Sequence, residues 1–165
     1  MDAIVVDLPT AFYMVSAQID DGVIIGQFDD TTGGEEYGIV LPKAEGASSV
    51  ATLTDRLPGG STVVEHAGDR LLLLHADPAS HRCVLAEAPL GSGTLPEGAS
   101  PLLHAQEGES FESVEAFAGF VALFMRRGGL ATATLLSKTD GDRPYGAPRD
   151  IPTAPALAVL KPGSN

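Results

Sequence analysis

Hydrophobic and polar positions alternate along much of the first half of this chain, and glycine and proline punctuate the alternation. Tyr13, Val15, Ala17 and Ile19 share one parity, with Met14, Ser16 and Gln18 on the other. Period-two alternation places such sets on opposite faces of a strand. Asp21-Gly22 follows, a pair that tolerates positive φ at both centres of a tight turn, so residues 12–28 read as a β-hairpin. In that hairpin Ile19 faces Ile24, Ala17 faces Gly26 and Val15 faces Phe28. Residues 3–8 read as a short strand stopped by Pro9, and Tyr37, Ile39 and Leu41 as another closed by Pro42.

The period then changes. Val50, Leu53, Thr54 and Leu57 recur at helical spacing, with Ser48 or Ser49 as N-cap and Pro58 as the stop, which predicts a short helix. A second hairpin is expected over residues 61–76, with Gly68-Asp69 at its tip, and the strand over 81–88 extends it to a three-stranded antiparallel meander. Residues 89–109, with Pro89, Pro96 and Pro101, read as loop.

The strongest helical pattern covers residues 111–127. Ser110 suits its N-cap, Glu112 and Glu115 its positive end, Arg126 and Arg127 its negative end, and Gly128-Gly129 its termination. Val114, Phe117, Ala118, Val121 and Phe124 form an apolar stripe, widened by Phe120, Leu123 and Met125. The helix is expected to pack Phe117, Val121 and Phe124 on the sheet face holding Val15, Ile19 and Phe28. Residues 130–137 read as a last strand. The fold expectation is therefore α+β: a mostly antiparallel sheet of hairpins, covered by one long helix, in a globular domain of residues 1–138. Residues 139–165 hold five prolines and read as an extended tail.

Composition narrows the function classes. With 165 residues and a net charge of −12, the chain suits one acidic domain and lacks the basic surface that binding to duplex nucleic acid requires. Its one Cys excludes an intramolecular disulfide framework and a four-Cys zinc site. No apolar run is long enough for a membrane span, and the acidic start MDAIVVDLPT has no basic n-region. These features imply a protein without a signal peptide, soluble, and cytoplasmic or particle-associated. Charge is unevenly placed: residues 1–125 carry a net −15 and residues 126–165 a net +3.

Candidate chemistry is sparse. No G-x-S-x-G elbow is present, and the glycines at 93 and 98 have Walker spacing but Ala99 where a lysine belongs. His75, His81 and Cys83 surround one turn and form a weak N/S ligand trio, with the ordinary reading of two turn-edge histidines beside a core thiol. Asp20, Asp21, Asp29, Asp30, Glu35 and Glu36 cluster without EF-hand spacing and read as a solvated acidic surface.

The expectation is a non-enzymatic structural or assembly protein, with no cofactor, acting as a subunit of a homo-oligomer or larger complex; a phage-type virion component is one example. Docking falls to the tail, through Arg143, Arg149 and Lys161 and the apolar Leu157, Val159 and Leu160. The alternatives are a small metal-dependent enzyme using His75, His81 and Cys83, or an acidic inhibitor of a basic partner.

Overall fold

A computed structural model describes residues 12–20, 23–30, 34–40, 50–52, 57–58, 62–76, 82–90, 95, 98–140 and 144–152. Regular structure among them is all β, with no helix. The strands described follow in chain order: β1 Phe12–Asp20, β2 Val23–Asp30, β3 Gly34–Val40, β4 Val50–Thr52, β5 Leu57–Pro58, β6 Val63–His66, β7 Arg70–Ala76, β8 Cys83–Pro89, β9 Ser100–His104, β10 Glu109–Ala116, β11 Phe120–Arg127, β12 Leu130–Ser137 and β13 Arg149–Asp150. They form three hydrogen-bonded sheets: β1-β2-β3-β4 with β5 also on β3, β6-β7-β8-β9, and β10-β11-β12-β13. The chain divides into two compact units, Met1–Leu73 with Glu87–Ser100, and Leu74–Ala86 with Pro101–Asn165.

In the first unit, β1 and β2 form the expected antiparallel hairpin, with Ile19 opposite Ile24 and Ala17 opposite Gly26. A bulge between Met14 and Ser16 shifts the far end by one residue, so Phe28 pairs with Met14 instead of Val15. One extra residue on a strand produces that displacement. Where a helix was expected from the spacing of Val50 to Leu57, the chain places β4 and β5 on β3 instead. β-branched Val50 and Thr52 suit a pleated strand better than a helix turn, and backbone pairing with β3 decides it. Ile25, Val64, Leu71, Leu73, Ala88 and Leu95 form the core, with Leu90 and Ala99 packed against it. Arg70 Nε donates to Glu87 Oε2 at 2.8 Å, which pairs the carboxylate buried on β8. At the β6–β7 turn Gly68 has φ +80°, a conformation that suits glycine, and Ala67 N–H donates to Arg70 O. The segment read as loop contains β9, which lies beside β8.

The second unit overturns the α+β expectation most directly. Residues 111–127 are not a helix but most of β10, a tight turn and all of β11. Ala116 pairs with Val121, and Phe117 N–H donates to Phe120 O at 2.9 Å, closing the turn at Ala118-Gly119. Gly119 would cost a helix interior about 1 kcal/mol relative to alanine, whereas a turn accepts it. The aromatic and β-branched residues around it favour strands. Of the charges assigned to the two helix ends, Arg126 pairs across the strands with Glu112, and Arg127 pairs with Glu109, a residue outside the expected helix. The uncharged run through residues 117–125 reflects a central strand with both faces apolar, for Val121, Ala122 and Leu123 are all buried.

Gly128 and Gly129, at φ +57° and +83°, make the two-residue turn into β12. Positive φ at both centres is the geometry that matches strand twist in a two-residue hairpin. Residues 130–137 form β12 as expected, and it pairs with β11 from Arg127↔Leu130 to Phe120↔Ser137.

Candidate docking site

The alternation of side chains gives the β10–β13 sheet two unlike faces. One carries Val114, Val121, Leu123, Met125, Thr134 and Leu136, all buried. The other carries Glu115, Phe120, Ala122, Phe124, Ala133 and Leu135. There only the two alanines are buried, while the larger side chains remain half-buried.

At the edge of this sheet the C-terminal segment turns back onto β12. Lys138 bridges to Tyr145, Gly146 N–H donates to Ser137 O at 2.8 Å, Leu135 pairs with Arg149, and Thr134 pairs with Asp150. Ile151 N–H then donates to Ala133 O at 2.8 Å. Asp150 secures the strand. Its Oδ1 accepts from Thr134 Oγ1 at 2.7 Å, and its Oδ2 accepts from Arg127 Nη1 at 2.6 Å. Arg127 Nε donates to Glu109 Oε1 at 2.7 Å, and Glu109 Oε2 accepts the Gln106 N–H at 2.8 Å. One guanidinium thus ties both sheet edges to the central strand. The Arg127 and Thr134 hydrogen bonds hold the Asp150 carboxyl below the usual aspartate range. The Gln106 amide and Arg127 do the same for Glu109 against burial. Asp150 and Glu109 in turn push the Arg127 guanidinium further into its charged form.

Of the residues expected to bind a partner, Arg149 is exposed on β13. Arg143, Leu157, Val159, Leu160 and Lys161 lie outside the described residues. Of the ligand trio, His75 is half-buried near the end of β7, with Nδ1 3.2 Å from Ala76 O. Cys83 opens β8, where burial pushes its thiol up against hydrogen bonds to the Phe111 and Val84 backbones. A raised thiol is a poor nucleophile at neutral pH. His81 lies outside the described residues. Among those described, no three His, Cys, Asp or Glu side chains gather as metal ligands. Of the acidic cluster, Asp20, Asp29, Asp30, Glu35 and Glu36 fall on β1–β3, where Asp29 pairs with Glu35, and Asp21 lies outside the described residues.

Sequence reasoning missed Glu109, Thr134 and Asp150 and placed Arg127 at a helix end. The available signal was the placement of opposite charges: acidic residues before and basic residues after a stretch whose turns are marked by Gly119 and Gly128-Gly129. The large hydrophobic side chains exposed among the described residues are Leu130, at 68%, and Ile151, at 39%. Ile151 lies at the edge where the C-terminal segment runs, whereas Leu130 opens β12 beside the Gly128-Gly129 turn and faces the other side of the sheet. Among the described residues no helix is long and apolar enough to cross a membrane. The chain matches no protein-family model and none of the curated proteins with which it was compared. Neither the fold nor the comparisons support a virion component.

Proposed function

We propose that the chain is a non-enzymatic subunit of a protein assembly that docks through its C-terminal segment, residues 139–165. The supporting observation is the edge just described. Ile151 is exposed there, and Asp150 holds the segment to the sheet through Arg127 and Thr134. An edge strand offers unpaired backbone groups, and exposed apolar side chains beside it add contact area for a partner. The cationic Arg143, Arg149 and Lys161 suit a partner surface as acidic as this chain's own first 125 residues.

The test is the mass in solution, by size exclusion with light scattering, of the full chain and of a 1–152 truncation. The cut belongs after Pro152, because truncation at 138 also removes Asp150 and so loosens the sheet. The expected result is a full chain that assembles and a truncation that is a monomer, with a thermal melt matching that of the dissociated full-length subunit. A full chain that stays monomeric, or a truncation that assembles equally well, refutes the reading.

A further inference from the structure

The half-buried face of the β10–β13 sheet has one chemical anomaly. Among the described residues, Glu115 Oε2 is buried without a hydrogen-bond partner. Burial alone pushes the Glu115 carboxyl up. A buried carboxylate is costly unless a cation or donors meet it. Around it the face is mostly apolar, with the charged Arg126 and Arg149 at its margins. Ala122 pairs with Glu115 on one side and Leu135 on the other, and Arg149 completes the row on β13. Phe120 and Phe124 flank that row and are only half-buried. Among the described residues, Phe117 stacks on Phe120 at one end of the face and Glu115 Oε2 has no hydrogen-bond partner, so the face can accept a further apolar cover and a cation at one defined place.

The chain holds a segment with that pattern. Residues 153–165 lie outside the described residues and follow Ile151, which shares this face by register with Ala133. In an extended strand, Leu157, Val159 and Lys161 project to one side, about 6.8 Å apart. Two apolar side chains then precede one ammonium group. Glu115 lies three strand spacings from β13, about 14 Å, whereas the ten residues from Ile151 to Lys161 span up to roughly 35 Å. Reach is ample. Direction favours a neighbour over the segment's own sheet. Pro152 and Pro155 bias the residues before them to extended backbone, the conformation that a segment crossing to a neighbour needs.

We propose that the C-terminal segment of one copy lies across the half-buried β10–β13 face of a second copy, reciprocally, with Leu157 and Val159 against Phe120, Phe124 and Leu135 and with Lys161 on Glu115. This inference rests on the docking reading above and names its partner: the same chain, in a two-fold exchange of C-terminal segments.

Two charge reversals, Glu115→Lys and Lys161→Glu, test it in the full chain. Alone, each variant sets like charges against each other at both contacts, and the dimer weakens by about tenfold or more, equivalent to about 1.4 kcal/mol. Mixed in equal amounts, they restore the dimer. In the mixed dimer one contact joins the two substituted positions, again with opposite charges, while the other is the native Lys161–Glu115 pair. Docking of each segment on its own sheet gives no rescue on mixing, so rescue is specific to exchange between copies. Lys161→Glu changes none of the described residues, so its loss of assembly counts even if Glu115→Lys fails to fold; in that case Glu115→Gln must also weaken the dimer. Singles that assemble like the full chain, or a mixture that stays monomeric, overturn the proposed face and partner. If the 1–152 truncation has nevertheless lost assembly, the docking reading stands. A native chain that is monomeric at every concentration removes both.

Discussion

Replacing Asp150 with alanine should release β13 while leaving the rest of its sheet intact. The substitution removes the Arg127 ion pair and the Thr134 hydroxyl's acceptor together. The side chains of Arg127 and Asp150 are 48% and 50% exposed, so their pairing falls in the range of exposed ion pairs, about 0.2–1 kcal/mol. The hydroxyl–carboxylate hydrogen bond adds about 1 kcal/mol. The total, about 1–2 kcal/mol, corresponds to a roughly 5- to 30-fold shift in the local opening equilibrium. Amide hydrogen exchange reads this directly, because the Ile151 N–H is protected only while it donates to Ala133 O. In Asp150→Ala, Ile151 exchange should accelerate by that factor, with amides in the β11–β12 ladder unchanged. Asp150→Asn keeps an acceptor for Thr134 and should fall between the two. The Asp150 carboxyl is held below its ordinary range in the folded protein. Its stabilisation is therefore complete above the ordinary aspartate pKa of about 3.9 and is lost as pH falls through the lower folded value. After correction for intrinsic exchange rates, Ile151 protection should hold from neutrality down to that range and then fall away. Neither substituted protein should show this acid step from residue 150. Unchanged Ile151 exchange in Asp150→Ala would refute the reasoning, as would a loss of stability spread over the whole sheet.

Leu123→Ala should cost about 2–5 kcal/mol in chemical denaturation, because Leu123 is fully buried on the central strand. A change within about 0.5 kcal/mol, the range of ordinary surface substitutions, would contradict that packing. Gly129→Ala should destabilise by about 1 kcal/mol, because φ there is +83°, whereas Gly119→Ala, in open space and without positive φ, should be nearly silent. Equal responses in thermal melts would remove the turn assignment. In the 1–152 protein, Glu115→Gln should raise stability at pH 7. A carboxyl raised by burial destabilises the fold once it ionises, so wild type should lose stability as pH rises through the ordinary glutamate range and above, and the difference from Glu115→Gln should vanish in acid. A pH-independent difference would count against that cause.

Local signals in the sequence determined the strands that are neighbours along the chain. Alternation and a two-residue turn define β1 and β2 well enough to give Ile19↔Ile24 and Ala17↔Gly26, and the length and apolar content of residues 130–137 define β12. Turn chemistry at Gly68 was equally legible, since only a residue free at φ +80° fits there comfortably. Residues 111–127 were not legible locally. Positions 114, 117, 118 and 121 fit a helical period, but the same residues also fit two strands reversed at Ala118-Gly119. Local propensity leaves those two arrangements close in energy. Pairing of β11 with β12 on one side and β10 on the other decides between them, burying Val121, Ala122 and Leu123 on both faces at once. The docking edge needed tertiary structure for the same reason. Glu109, Arg127, Thr134 and Asp150 are separated in sequence by intervals of 7 to 41 positions, and no motif spacing joins them. Strand register brings them within hydrogen-bond distance. Charge and proline content marked the C-terminal segment as distinct; where it first attaches was decided by the backbone groups left open along β12.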